Sequence, residues 1–369
     1  MDTREASPRI AGLDLMKSLG LYLVVLYHLT FRNPPDVLSG RLLPILIYGL
    51  GTLMSVCVPL FFTASGALSL RRPVNLRKNI WRCVHLAVLT VCWAAVSLLI
   101  VLVLRREHRS PGEFLEIAEA LSVGYIQHLW YLPTFLFLTL LMPVLQGLRS
   151  GSKQVYRYGL CLLLLLTFGN LFLNDLEYLL RWLLGRTGHT GTRQFFWYVN
   201  YFGGYYWYSL AYLALGAYLC DHLQELSKYR RPAAAVILLW GGFLTLFAMA
   251  RCQVRQTVFD PVFNNYGDPF TLLLTGAVSL LLLTCHPGKR LQRATKSLAT
   301  CSLGIYLIHW LLIEALLDYW PALVRFTAVA PLTAVVVLGI SWGLCWLLLK
   351  VPFLRNFFTA APDWLHHVT

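Results

Sequence analysis

Ten long apolar segments dominate this chain and favour a bundle of helices that crosses a lipid bilayer. A helical span needs about 20 apolar residues, and only the fifth and eighth segments are clearly shorter than that. The chain is 57% hydrophobic and 13% charged, whereas a soluble domain carries about 25% charge. We therefore predict an all-α, polytopic membrane protein with about ten transmembrane helices. The segments are 13–31, 43–70, 80–104, 129–148, 158–173, 198–219, 233–250, 270–285, 298–317 and 323–349.

The net charge of +14 is distributed unevenly along the chain. If the amino terminus is cytoplasmic and the segments alternate, the inner side holds 19 Lys and Arg against five Asp and Glu. In the outer loops the basic and acidic residues are equal in number. This asymmetry is the positive-inside pattern of membrane proteins, so the bilayer is the expected partner and nucleic acid is not. We predict one membrane domain over 1–369, with both termini cytoplasmic and short tails at 1–12 and 351–369.

Lys17 and His28 share the first apolar segment, with ten residues between them. Eleven steps of about 100° bring both side chains to one stripe of a helix, about 16 Å apart along its axis. Ionisable groups are costly inside a bilayer and usually face the interior of a bundle or a water-filled cavity. The pair therefore indicates a passage through the membrane that is lined by polar groups.

The second segment ends in a proline followed by small residues, VPLFFTASG at 58–66. Pro59 should loosen the helix, and the small side chains from Thr63 to Gly66 permit close approach of another helix. Two interpretations stay open. One is a packing seam with a proline kink, and the other is a narrow groove for an extended chain such as a pantetheine arm, with Ser65 in contact with it.

The third segment begins with cations at the predicted cytoplasmic boundary. Arg82 and His85 are three residues apart and share a helix face, and Lys78 lies one turn before Arg82. Arginine forks suit phosphate recognition, so this face is a candidate binding site for a phosphorylated ligand. The alternative is that these cations only anchor the segment at the membrane surface.

The fourth segment opens with HLWYLP at 128–133. In the predicted topology it enters from the outer face, toward which His28 also points, so His128 and His28 can converge from different helices. Trp130 and Tyr131 are candidates for contact with a substrate. Alternatively, the two aromatic residues form part of an interfacial belt.

The ninth segment carries a further set of polar groups within an apolar helix. Tyr306 and His309 are one turn apart, and Glu314 lies farther toward the outer end. An intramembrane carboxylate is a functional candidate that needs a partner, so Glu314 joins the candidate site. The alternative for His309 is a buried imidazole bonded to Tyr or Ser across helices.

The stretch 193–208 that leads into the sixth segment is dense in aromatic residues. Interfacial anchoring explains some of them. Four tyrosines are nevertheless candidates to offer stacking faces and hydroxyls to a polar acceptor such as a sugar: Tyr201, Tyr205, Tyr206 and Tyr208.

Four of these motifs, in this order, resemble those of the family 3 membrane acyltransferases, a large bacterial family that acylates carbohydrates of the cell envelope. The family signature of Arg or Lys, ten residues and His corresponds to Lys17 and His28. PLFFTASG at 59–66, HLWYL at 128–132 and SLGIYLIH at 302–309 are similar to its second-, fourth- and penultimate-helix motifs. The family often has two arginines three apart at the start of the third helix, where this chain has Asn79 and Arg82.

The resemblance implies a multi-pass enzyme of the bacterial cytoplasmic membrane that moves an acetyl group from cytoplasmic acetyl-CoA to a hydroxyl of an envelope or exported carbohydrate. His28 would act as general base or carry the acyl group, and no metal is expected. We expect no esterase-like domain beyond the membrane core, so a separate extracytoplasmic partner protein is one way to reach the acceptor. The expected donor-binding residues are Lys17, Ser65, Lys78, Arg82 and His85; the catalytic set is Lys17, His28, His128, His309 and Glu314; and Trp130, Tyr131, Tyr201, Tyr205 and Tyr306 would bind the acceptor.

Two other classes of function remain compatible with the residues. Intramembrane Lys, Asp, Glu and His side chains can couple a substrate to protons in a transporter, which would consume no acyl-CoA. A non-catalytic partner of other envelope enzymes would tolerate the loss of His28.

Overall fold

The computed structural model describes residues 9–104, 127–188, 206–324, 328–360 and 362. Within these ranges the chain forms helices joined by turns and no β-strand, so the predicted all-α class is confirmed. The principal helices are α1 Ala11–Thr30, α2 Leu42–Met54, α3 Cys57–Ser69, α4 Leu76–Leu104, α5 Tyr131–Ser150, α6 Lys153–Leu164, α7 Asn170–Leu183, α8 Tyr208–Asp221, α9 Arg230–Arg255, α10 Pro269–Leu283, α11 Lys289–Thr300, α12 Ser302–Tyr319 and α13 Ala330–Leu348.

Eight helical stretches in the described part are long and apolar enough to cross a membrane. Two other predicted segments have shorter helices there, because α10 has 15 residues and α8 is described only from Tyr208. The count of ten spans and the cytoplasmic location of both termini therefore stay predictions. The eight stretches are Ala11–Thr30, Leu42–Ser69, Leu76–Ile100, His128–Ser150, Lys153–Leu183, Leu223–Arg255, Ser302–Tyr319 and Ala330–Leu348.

Two predicted segment boundaries differ from the helices. The fifth segment, predicted at 158–173, extends from Lys153 to Leu183 through a π-helical turn at Leu165–Gly169. The ninth, predicted from 298, begins at Ser302, because Leu298 belongs to the separate helix α11. α11 carries four Lys or Arg side chains and one apolar face, which is the pattern of a helix at the surface of the bundle.

Helix α1 lies in the middle of the bundle. It packs against α2, α3, α10, α11, α12 and α13. Its buried residues include Met16, Leu21 and Val25, which lie on different sides of the helix. This central position brings the polar side chains of α1 close to those of several other helices.

The second segment bends where its sequence predicts a loosened helix. Helices α2 and α3 are interrupted at Ser55 and Val56. Pro59 is the third residue of α3 and has no N–H for the carbonyl of Ser55, which explains the break. The predicted packing seam follows, because α3 packs closely against α8 at Gly66.

Gly66 permits direct contact between two helix backbones, and we expect Gly66→Ala to destabilise the fold. A Cβ at this position would lie 1.9 Å from the carbonyl oxygen of Leu213, so the helices must separate. Overpacking of this kind typically costs about 1–3 kcal/mol, and sometimes more. Thermal unfolding in detergent measures the loss. Gly147→Ala is the control, since a Cβ there meets nothing within 4 Å. Equal stability of the two variants would contradict the packing.

Candidate active site

Three histidines from separate parts of the chain meet around Trp310. His28 of α1 lies with its ring 5.0 Å from Trp310 and 5.5 Å from His309, which precedes Trp310 on α12. His128, in the turn before α5, stacks on Trp310 at 5.0 Å and lies 6.5 Å from His309. The predicted convergence of His28 and His128 is therefore present. We call these four residues the histidine cluster.

Several polar atoms of the histidine cluster are buried without a hydrogen-bond partner among the described residues. They are both ring nitrogens of His128, Nε2 of His309 and Nε1 of Trp310. Leaving one such group unpaired costs about 1–3 kcal/mol, and native proteins satisfy the great majority of them. A concentration of unpaired groups on adjacent rings indicates a place where water or a polar ligand supplies the missing partners.

The tautomer of His309 follows from its one hydrogen bond. Nδ1 lies 3.1 Å from the carbonyl oxygen of Ile305, which can only accept a hydrogen bond, so Nδ1 carries the proton. In the neutral ring, Nε2 then presents a lone pair. Trp310 Nε1 can only donate. The cluster therefore offers both a proton acceptor and a hydrogen-bond donor that the described protein groups leave unused.

Tyr306 fixes the turn that carries His128. Its hydroxyl donates to the carbonyl oxygen of His128 at 2.5 Å, and its ring lies 6.0 Å from the ring of His309. This contact explains how a residue outside the regular helices is held beside α12. It also gives Tyr306 a structural role, and its predicted contact with the acceptor stays a prediction.

Glu314 has the partner that its burial requires. Arg32, two residues beyond the end of α1, forms a salt bridge with the Glu314 carboxylate, and its guanidinium lies 4.8 Å from the Trp310 ring. Glu314 is almost fully buried and Arg32 is about one quarter exposed. The pair thus closes the histidine cluster on its outer side and leaves the arginine reachable from solvent. Arg32 was not among the sequence-predicted site residues.

A row of polar side chains connects Lys17 with the histidine cluster. Arg82 of α4 lies within electrostatic range of both Lys17 and Tyr131, and its buried Nε has no partner in the described part. The hydroxyl of Tyr131 lies beside Ser65, and the rings of Tyr131 and Tyr306 are 5.5 Å apart. We call Lys17, Arg82, Ser65, Tyr131 and Tyr306 the polar seam. It joins three residues predicted to bind the donor with two predicted to bind the acceptor.

Lys17 lies at a cavity of about 560 Å³ at the end of the bundle opposite to His28. Asp14 also lines this cavity, but Arg9 binds both of its carboxylate oxygens, at 2.7 and 2.9 Å. Among the described residues Lys17 makes no salt bridge, so its ammonium is available to an anionic or carbonyl group. Arg71 and Arg72 complete the basic lining.

The Lys17 cavity does not itself extend to His28. Gly20 lies between them along α1, and its backbone is packed so tightly against the Phe61 ring that a Cβ would approach it to 2.8 Å. The lining of this cavity therefore ends before the histidine cluster, and a continuous polar passage from Lys17 to His28 stays a prediction.

The comparison with protein families agrees with the motifs and their placement. The family model described as an acyltransferase domain, that of the family 3 acyltransferases, matches residues 10–350. The chain belongs to the family 3 acyltransferases. No curated protein and no solved structure gives a significant match. The match extends from just before α1 to just after α13, and a multi-pass membrane acyltransferase is thus the coarse function of the chain.

The remaining donor residues predicted for this acyltransferase lie away from the polar seam. His85 Nε2 is bonded to the carbonyl oxygen of Thr359 at 2.8 Å and ties α4 to the carboxyl-terminal segment. Lys78 is half-buried on α4 and lines none of the cavities described here. Asn79, which stands where the family often has the first of its two arginines, donates to the carbonyl oxygen of Thr139 and joins α4 to α5.

The predicted acceptor residues of the acyltransferase are only partly described. Trp130 stacks on Tyr206 at 4.8 Å and lies within 6.0 Å of Phe263 and Tyr266, so it packs against the loop that precedes α10. Tyr201 and Tyr205 lie outside the described residues. Their contact with an acceptor stays a prediction.

The loop before α10 is attached to α1 beside His28. The Tyr27 hydroxyl donates to Asp260 at 2.7 Å, and the rings of Tyr27 and His28 are 4.7 Å apart. Burial raises the pKa of the Asp260 carboxyl, although the Tyr27 hydroxyl and the backbone N–H groups of Phe263 and Val262 donate to it. This anchored loop forms an outer wall next to the site.

Proposed function

We propose that this protein transfers an acetyl group from acetyl-CoA, bound at the end of the bundle that carries Lys17, to a hydroxyl of an envelope or exported carbohydrate at the histidine cluster. The unpaired nitrogen atoms of His128, His309 and Trp310 are the observation that carries the proposal, because acyl transfer requires both a proton acceptor and a hydrogen-bond donor in one buried place. The bacterial cytoplasmic membrane is the location that this chemistry needs.

The residues of the chain fit both the phosphate-bearing end of the donor and the arm that carries its thioester. The ammonium of Lys17 and the guanidinium of Arg82 suit phosphate or carbonyl oxygens. The polar seam then offers hydroxyl groups of Ser65, Tyr131 and Tyr306 along the way to the cluster. An extended arm following the seam would bring the thioester from the basic end toward His28.

The chemical step balances without a metal or redox group. His28 removes the proton from the acceptor hydroxyl, and the resulting oxygen attacks the thioester carbon. The indole N–H of Trp310 stabilises the negative charge that develops on the carbonyl oxygen. When the carbon–sulfur bond breaks, the thiolate takes the proton from His28, which gives the acetyl ester and free CoA. His309 Nε2 accepts a hydrogen bond from the acceptor and helps to orient it.

Purified protein in sealed liposomes tests this function. Labelled acetyl-CoA is added outside, and de-O-acetylated envelope polysaccharide is enclosed. We expect free CoA thiol to appear in step with label on the polysaccharide, and neither in protein-free vesicles. Label that enters without release of CoA, or uptake that collapses with an uncoupler, would instead indicate transport.

Lys17 provides a test of the donor side. We expect Lys17→Arg to retain most of the donor affinity and Lys17→Ala to raise the KM for acetyl-CoA by about tenfold or more, because a charged hydrogen bond contributes about 1.5–3 kcal/mol. Steady-state kinetics in detergent measures this. Lys289→Ala removes an exposed cation at the same end of the bundle and serves as control. An unchanged KM in Lys17→Ala would remove Lys17 from the donor site.

A further inference from the structure

A second and larger basic cavity lies next to the Lys17 cavity. Its volume is about 880 Å³, and it is formed by the end of α3 with parts of α5, α6 and α8. Arg71 and Arg72 line both cavities, so the two are adjoining compartments. None of the sequence-predicted donor residues lines the larger cavity.

Asp221 organises the cations on one side of this cavity. Its carboxylate accepts from Arg71 Nε at 3.1 Å and also forms a salt bridge with Arg149. Arg149 additionally donates to the carbonyl oxygen of Leu70 at 2.8 Å. One carboxylate at the end of α8 therefore holds two guanidinium groups from two other parts of the chain in fixed positions. A surface charge that only marks topology needs no such arrangement.

The other cations of the cavity are not neutralised by the described residues. Arg72, Lys153 and Arg157 line it, and the described part gives none of them a salt bridge. With Arg71 and Arg149, five Lys or Arg side chains surround one carboxylate. The excess suits a ligand with several negative charges, and each phosphate monoester carries roughly −1.5 to −2 at neutral pH.

The cavity also offers flat aromatic surfaces. The rings of Tyr218 and His222 are 4.4 Å apart, and both line the cavity with Tyr156. Tyr218 is half exposed. Aromatic faces stack on nucleobases, and guanidinium groups bind phosphates with paired N–H donors. The lining thus combines aromatic faces on which a purine can stack with guanidinium groups that can bind its phosphates.

We propose that this cavity binds the adenosine 3′,5′-bisphosphate end of the acyl-CoA donor. The proposal rests on the proposed function and locates the nucleotide beside the helices α5, α6 and α8. From there the arm passes Arg71 and Arg72 into the Lys17 cavity and continues to the polar seam. Anionic phospholipid headgroups share the phosphate chemistry, but the continuity with the Lys17 cavity and the aromatic faces favour the nucleotide.

The test compares acetyl-CoA with its 3′-dephospho analogue in wild type and in the double variant Lys153→Gln/Arg157→Gln. We expect the KM of the variant for acetyl-CoA to rise by about 10- to 100-fold, with kcat within about twofold, because charged hydrogen bonds to phosphate are lost. The wild-type preference for the 3′-phosphorylated donor should also shrink. Arg230→Gln, an exposed cation at the same end and outside the cavity, should behave as wild type.

Direct binding separates this proposal from the proposed function. Calorimetry with 3′,5′-ADP on wild-type protein in neutral-lipid nanodiscs should give saturable binding that the double variant loses, even if no acceptor is acetylated. No binding to wild type, or equal binding to both proteins, would overturn the nucleotide site. If the double variant differs from wild type only when anionic lipid is present, the cavity binds a lipid headgroup. That result would also overturn the nucleotide site.

Discussion

His28→Ala should reduce acetyl transfer by about 10²- to 10⁴-fold, which is the usual contribution of a general base. The half-buried imidazole of His28 makes no hydrogen bond to another described residue and contacts Trp310 and His309 through its ring. Its removal therefore takes away a proton acceptor and leaves the hydrogen bonds of the fold in place. Single-turnover measurements of CoA release and product formation quantify the effect.

The controls distinguish chemistry from folding. His286→Ala removes an exposed histidine of the loop before α11 and should retain normal turnover. The size-exclusion profile of His28→Ala should match that of the wild type. Its melting temperature should be lower only by the small amount that a cavity at this position causes. If folded His28→Ala transfers acetyl at the normal rate while His309→Ala does not, the base is His309 Nε2, and the assignment of His28 is wrong.

The sequence predicted the relative positions of Lys17 and His28 because helical geometry determines the positions of side chains on a single helix. Lys17 and His28 lie on one stripe of α1, and the helix is central in the bundle. The similar predicted depths of His28 and His128 in the membrane also placed these two histidines close together. What periodicity could not give is the packing between helices, which places the Phe61 ring against Gly20 and ends the lining of the Lys17 cavity before His28.

Arg32 and Trp310 lie outside the sequence-predicted set, and only Arg32 carries a sequence signal for its position. Arg32 lies four residues after His28, which is one helical turn, and an intramembrane Glu314 required a cationic partner. Trp310 follows His309 directly, but an aromatic residue in an apolar helix is by default a packing residue. Its unpaired Nε1 becomes visible only when neighbouring helices are in place.

Contacts between distant parts of the chain limited the prediction of the donor site. Lys78, Arg82 and His85 share one face of α4, but the residues opposite that face are not given by the spacing. Arg82 faces Phe135 and the polar seam, whereas His85 binds the carboxyl-terminal segment at Thr359. The larger basic cavity combines four helices, so its cations resemble topology signals when the sequence is considered alone.

Trp310→Phe should lower kcat by about 10²- to 10³-fold, the typical effect of removing one donor to a developing oxyanion. Phenylalanine keeps an aromatic ring between His28, His128 and Arg32, so the shape of the cluster is largely preserved. The change removes Nε1–H, which has no partner among the described residues. Because the donor is bound elsewhere, the KM for acetyl-CoA should change little.

Trp93→Phe is the matched control, because its Nε1 donates to the carbonyl oxygen of Phe357 at 2.7 Å and that bond is structural. Trp93→Phe leaves a buried carbonyl without this donor and should lose stability, with kcat nearly unchanged. Trp310→Phe removes an unpaired donor, and relief of its desolvation offsets part of the packing loss. Trp93→Phe should therefore lower the melting temperature and leave kcat nearly unchanged. Trp310→Phe should lower kcat with a smaller loss of melting temperature. A normal kcat in Trp310→Phe would show that the indole N–H takes no part in the transfer.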